Sequence, residues 1–295
     1  MSPEKYNAKF VPIFAPDGFP DTWKHDAKAL YGDDPSDALF TAALKEVQHK
    51  LGLKVDGYCG PATIDAMADF DRGLMCRDPN TNGSIVVGPK SYRVPFPVVT
   101  YFDDFTIGDT VSRVRKTPVS SIVTHYDVSY SARSTEEILQ NRGYSTHFII
   151  DGDDKGTIYQ CHNPTTRVAV HAGSFNSRSI GVDLNNPASP KYQKADAKRR
   201  GRERQIVELQ INESGYRRLS YFPEQIQSFN ALLDVLCKST SVPRMCPRDD
   251  QGKPIVGVFL NADSFEGILG HYHLTRRKSD PAPLDWDAVC PNANT

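Results

Sequence analysis

No run of about 18 or more apolar residues occurs in the 295-residue sequence, which removes a membrane-spanning helix from consideration. The Met1-Ser2-Pro3-Glu4-Lys5 start lacks the apolar core of a secretory signal, so synthesis and retention in a cytoplasm are the expectation. Neither charge is in excess. With 35 Lys and Arg against 36 Asp and Glu there is no basic surplus, and nucleic acid is a poor partner. The six cysteines, at 59, 76, 161, 237, 246 and 290, include no Cys-x-x-Cys pair, which argues against a zinc ribbon or a redox couple and for mostly free thiols. What remains is an ordinary soluble composition, long enough for two modest domains that each bury a core without disulfides.

The most informative stretch is Gly270-His271-Tyr272-His273-Leu274-Thr275-Arg276-Arg277-Lys278-Ser279-Asp280-Pro281, which gathers imidazole, cation and carboxylate in one short loop. Far upstream stands Thr124-His125-Tyr126-Asp127. Zinc that does chemistry is held by three protein ligands, with the fourth position left to water. His125, His271 and Asp280 offer such a set. Lys278 makes sense beside an anionic transition state. On spacing alone, a solvated Lys-Ser-Asp turn and structural histidines remain open.

The sequence reads as a helical first domain over 1–75 with its core at about 37–72, a linker over 76–97, and a second domain over 98–295. In the first domain Ala43, Leu44, Val47 and Leu51 recur at helical spacing, the 55–61 segment carries a tight turn, and a second helix is expected over 61–70. The 76–97 segment has turn composition, with Asn82-Gly83 and Gly88-Pro89. In the second domain Val119 to His125 reads as a buried strand, and Ser134 with Glu137 as a capping box. Residues 147–151 and 157–160 read as a hairpin, 179–184 as a strand, and 223–236 as an amphipathic helix. The basic run Lys198-Arg199-Arg200-Gly201-Arg202 is expected as a solvated loop, with an extra strand or hairpin near 207–211. Strands and helices intermixed along the chain indicate an α/β domain.

Several segments in this order resemble one family: Val123-Thr124-His125, Tyr144 to Asp151, Gly156-Thr157-Ile158-Tyr159-Gln160, His171-Ala172-Gly173, Ser179-Ile180-Gly181-Val182-Asp183, and Gly270 to Trp286. They look like the zinc-dependent type-2 N-acetylmuramoyl-L-alanine amidases, a class that includes phage enzymes and is related to peptidoglycan recognition proteins. The segment from Val47 to Phe70 resembles the three-helix peptidoglycan-binding module found beside wall hydrolases. The resemblance implies a mixed central β-sheet flanked by helices, a Zn2+ held by His125, His271 and Asp280, and bacterial peptidoglycan as partner. It implies Lys278 as oxyanion stabiliser and Asp183 as general base, standing where part of the family has Glu. Other members use a Tyr at the position of Thr146, which cannot act as a base. His147 and His171 match positions near the metal or the substrate groove and are read as substrate-binding, with a structural role open for either. The implied activity is hydrolysis of the lactyl-L-alanine amide by a monomeric, phage-type endolysin acting at the cell wall. A non-catalytic recognition protein and a cytoplasmic muropeptide-recycling amidase are the alternatives.

Overall fold

The computed structural model describes residues 41, 45, 48, 49, 53–58, 83–100 and 112–291. The chain divides into two units, Met1–Pro79 and Asn80–Thr295. In the first, Thr41, Lys45, Gln48 and His49 are helical, in agreement with the apolar spacing of that segment. The Gln48 side chain organises the turn that follows: its Oε1 accepts from Gly57 N at 2.7 Å and Asp56 N at 3.1 Å, and its Nε2 donates to Asp56 Oδ1 at 3.0 Å. Gly57 sits at φ +75°, and a Cβ there would lie 2.9 Å from Thr41 and Lys45 atoms, so the turn needs glycine on both counts. The expected second helix over 61–70 lies outside the described residues.

The second unit is built on a six-stranded mixed sheet. In chain order the strands are β1 (Gly83–Val87), β2 (Lys90–Val94), β3 (Val98–Thr100), β4 (Arg113–Val114), β5 (Ser121–Tyr126), β6 (Phe148–Ile150), β7 (Ile158–Gln160), β8 (Arg167–Val168), β9 (Ser179–Leu184), β10 (Ile206–Ile211), β11 (Ser214–Leu219) and β12 (Gly267–Gly270). The helices are α1 (Ala132–Asn141), α2 (Gln193–Arg200), α3 (Pro223–Thr240), α4 (His271–Leu274) and α5 (Trp286–Val289). The central sheet runs β12-β5-β9-β6-β7-β3, with β12, β5, β9 and β6 parallel and β6-β7 antiparallel. Strand alternation sends Ile122, Phe148, Ile150, Ile180, Val182 and Leu184 to one face, where they pack with Phe229, Leu232, Leu233 and Leu236 of α3. The opposite face carries Val123, His125, Ile149, Gly181 and Asp183. The three strands that bear the candidate site, β12, β5 and β9, are neighbours, and their carboxyl ends lie side by side, where open α/β sheets place ligands.

Three expectations need correction. Residues 83–94, read as turn and loop within a linker that could be either a flexible tether or an ordered arm packed on the second domain, form the β1-β2 hairpin, and Ile85, Val87 and Val94 enter the core beside α3. Gly88-Pro89 is its two-residue turn, with Gly88 at φ +58° as such a turn requires. Helix α1 is capped by Ser131 and not Ser134: the Ser131 hydroxyl accepts from Ser134 N at 3.2 Å, and the Ser134 hydroxyl accepts in return from Ser131 N at 3.2 Å. A serine hydroxyl at the third helical position thus does the work expected of Glu137. The basic run is not wholly solvated either. Arg200 pairs with Asp151 at 2.9 Å and Asp196 at 3.2 Å, and Arg204 with Asp196 at 2.8 Å, all with side chains under 10% exposed.

That buried network ties the 191–219 segment, an insertion of one helix and one hairpin between β9 and α3, to the sheet, because Arg204 also donates to Gln225 Oε1 at 2.9 Å on α3 and to Asn185 O at 3.2 Å beyond β9. Replacing Asp196 by alanine leaves two arginines short of their shared anion. Removing one partner of a buried pair typically costs about 3–5 kcal/mol. Urea denaturation of Asp196→Ala should show a loss of that size, whereas a change under about 1 kcal/mol, the scale of an exposed pair, would mean that the network does not hold the insertion.

Candidate metal centre

His125 is the penultimate residue of β5, held where a strand allows little movement, and His271 begins α4 directly after β12. Gly270 makes that close turn possible: a Cβ there would lie 2.6 Å from Pro281 Cδ and 3.1 Å from Trp286 Cζ2. Asp280 returns on the following loop, whose backbone is fixed by Tyr272 N donating to Asp280 O at 2.9 Å. His125 Nδ1 lies 3.0 Å from both His271 Nδ1 and Asp280 Oδ2, and His271 Nδ1 lies 2.9 Å from the same oxygen. All three side chains are nearly enclosed.

Burial pushes His125 down to about 4, with the neighbouring Asp280 opposing, so the imidazole is neutral near pH 7. Burial alone would raise Asp280, but the two imidazoles within 3.0 Å of its Oδ2 hold it well below the ordinary carboxylate range. Two imidazole nitrogens and one carboxylate oxygen therefore converge on a common point. This is the nitrogen and oxygen donor set of a zinc site that keeps one position open, and the residues present fit a divalent cation.

Asp183 stands directly opposite His125 in the β5-β9 register, on the same face. Burial raises it to about 8, with the charge of Asp127 adding and a hydrogen bond from Thr146 opposing. Lys278 is exposed on the loop between His271 and Asp280, and its charge acts on both His125 and Asp183. The same loop is pinned at Ser279, whose hydroxyl bonds Tyr126 OH at 2.5 Å and accepts from Arg218 Nη2 at 3.1 Å.

The other two predicted site histidines are engaged by partners within the domain. His171 Nδ1 is 3.0 Å from His125 Nε2, on the side of that ring away from the three donor atoms. His147 has no exposed surface; its Nδ1 accepts from Gly181 N at 2.9 Å and its Nε2 faces Arg167 O at 3.2 Å, so both ring nitrogens are engaged inside the domain. The expected substrate contact at His147 is therefore replaced by an internal bracing contact between β9 and the segment before β6. Asp127 does not touch His125. It accepts from Ser129 N at 3.0 Å, Asn186 N at 3.1 Å and Asn185 Nδ2 at 2.9 Å, fixing the turn that leaves β5. The sequence reading missed Asn185 and Asn186 there, and also Ser179 and Gly181. The alternation Ser179-x-Gly181-x-Asp183 places those last three on one face and was the available signal.

A carboxyl whose folded value lies above its unfolded one favours the fold fully below the unfolded value, 3.8 for Asp183, and that contribution is lost as pH rises through about 8. Metal-free Asp183→Asn should consequently lose less stability across that window than metal-free wild type. Chemical denaturation at a series of pH values measures this, and superimposable pH profiles would mean Asp183 is not held protonated.

A family model for N-acetylmuramoyl-L-alanine amidase matches residues 115–283, more than half of the chain, and a peptidoglycan binding domain model matches residues 30–67. A Rickettsia conorii protein described as an N-acetylmuramoyl-L-alanine amidase is 37% identical over 79 residues, 24% of this chain and 29% of that protein, so the chain spans under a third of that relative's length. Among solved structures, the Ph2119 endolysin from Thermus scotoductus MAT2119 bacteriophage Ph2119 is 16% identical with a TM-score of 0.37, covering 65% of this chain and 96% of that one. Drosophila peptidoglycan recognition protein SA is 14% identical with a TM-score of 0.30, covering 55% and 72%. The amidase model spans His125, Asp183, His271, Lys278 and Asp280 together, and the chain belongs to the N-acetylmuramoyl-L-alanine amidase family.

Proposed function

We propose that this chain is a zinc-dependent hydrolase that cuts the amide between the lactyl group of N-acetylmuramic acid and the L-alanine of the stem peptide in bacterial peptidoglycan. The observation that carries this reading is the convergence of His125 Nδ1, His271 Nδ1 and Asp280 Oδ2 within about 3 Å of one another inside the amidase-family segment. The peptidoglycan binding domain match at 30–67 supports intact wall as the target, and a phage-type endolysin as the biological role.

His125, His271 and Asp280 would hold a divalent cation, which would supply Lewis acidity toward water and the amide carbonyl. The chain's own groups do the rest. Lys278, on the loop that ends at Asp280, meets the negative charge developing on the carbonyl oxygen. Asp183, on the same sheet face as His125, takes a proton from the attacking water and returns it to the leaving nitrogen of L-alanine. Its buried position keeps its proton affinity high enough for that exchange, since the ideal base titrates near the working pH. His125, neutral at neutral pH, contributes a lone pair and no proton.

Appearance of free L-alanine amino termini from purified peptidoglycan tests the reading. Wild type should release them, while His271→Ala and chelated wild type should not. Substituting Lys278 by methionine should lower kcat by about 10²–10³-fold, the typical effect of removing one oxyanion donor. Binding of peptidoglycan without release of amino termini would overturn the assignment in favour of a recognition protein. Faster turnover of soluble muropeptides than of intact sacculi would overturn the endolysin role.

A further inference from the structure

The polar contacts behind His125 form a chain whose direction is fixed at its far end. The Ser179 hydroxyl lies 2.7 Å from Phe175 O, a carbonyl that can only accept, so Ser179 donates its proton there. Its oxygen is then free to accept from His171 Nε2 at 3.1 Å, which places the His171 proton on Nε2 and leaves Nδ1 bare. A bare His171 Nδ1, 3.0 Å from His125 Nε2, accepts the proton that His125 carries on that nitrogen. With its proton on Nε2, His125 turns an unprotonated Nδ1 to the point where His271 and Asp280 converge.

Local structure holds each member in place. Asn176 Oδ1 accepts from His171 N at 3.0 Å and Ala172 N at 2.6 Å, closing the loop that carries His171. The imidazole lies across β9 at Gly181, where a Cβ would come within 2.7 Å of His171 Cγ and 2.9 Å of its Nδ1. Glycine at that point in the strand is therefore what makes room for the ring. Ser179 is fully buried on the same strand face, two residues before Gly181.

From these contacts we propose that His171 and Ser179 are positioning residues that lock the tautomer and orientation of His125, so that it presents Nδ1 to a divalent cation. The inference rests on the metal-site reading above and assigns His171 to the support of a ligand, where the sequence had suggested contact with substrate. A hydrogen-bond partner on the far nitrogen of a ligating imidazole fixes which nitrogen ligates and raises ligand basicity, and loss of such a partner commonly costs about 10–100-fold in metal affinity.

Two measurements on the full chain test this. Long-range proton–nitrogen correlation spectra of the metal-free protein at mildly alkaline pH should show His125 and His171 both protonated at Nε2. Zinc affinity, by competition with a chromophoric chelator, should fall about 10–100-fold in Ser179→Ala and in His171→Phe, and Ser179→Thr, which keeps the hydroxyl, should restore it. Thermal unfolding of each variant identifies any that fail to fold, and the wild-type spectra decide the tautomer independently of them. An Nδ1-protonated His125 or His171, or unchanged zinc affinity in folded variants, would overturn the proposal. Wild type that takes up no zinc would instead refute the metal-site reading, while the spectra still judge the relay.

Discussion

Three lone pairs aimed at one point inside a protein repel one another unless a proton or a cation stands between them. The carboxyl end of β5 and the start of α4 impose this arrangement on His125, His271 and Asp280, with the three donor atoms about 3 Å apart and nearly closed to solvent. Burial keeps the His125 imidazole neutral, while the two imidazoles beside Asp280 keep its carboxyl ionised. A divalent cation at that point would resolve the repulsion, and much of the surrounding structure serves to keep the donors from turning away. Gly270 permits the sharp entry to His271, the Tyr272–Asp280 backbone bond closes the loop, and Tyr126 with Arg218 grips Ser279 beside the ligand.

Behind the donors lies a second layer of polar side chains that is almost entirely satisfied within the domain. His171, His147, Ser179 and Asn176 brace β9 against the segment before it, and Asp127 with Asn185 and Asn186 fixes the exit from β5. The Arg200–Asp196–Arg204 network then joins the insertion to the same strand ends. A half-satisfied network of this kind would destabilise the fold, since an unpaired buried group keeps its full desolvation cost. Satisfied to this extent, the layer is a rigid support for side chains that must be held in place.

Much of this could be read in the chain. The parallel strands announce themselves as short apolar runs, Ile122-Val123, Phe148-Ile149-Ile150 and Ile180 to Leu184, because both sheet faces are covered. The grouping of His125, His271 and Asp280 could be anticipated because two histidines and an aspartate recur in the order of the resembled family. The β1-β2 hairpin was hidden by its own turn, since Gly88-Pro89 reads the same in a linker as in a tight hairpin, and the alternating burial of Ile85 and Val87 shows only once a partner strand is present. Arg200 and Arg204 were hidden for a different reason. A run of basic residues does not say which members find a buried anion, although the four-residue spacing of Asp196 and Arg200 hinted at one pair. The placement of His147 and His171 was beyond reach, because the roles of two ring nitrogens depend on which groups the fold brings to each side.

X-ray absorption at the zinc edge, on the full chain loaded with one equivalent of zinc, tests the central claim most directly. The account predicts a shell of nitrogen and oxygen donors alone, with outer scattering from two imidazole rings and no such site in Asp280→Ala. A zinc–sulfur distance of about 2.3 Å, which would mean that cysteines hold the metal, or failure to retain zinc at all, would contradict it.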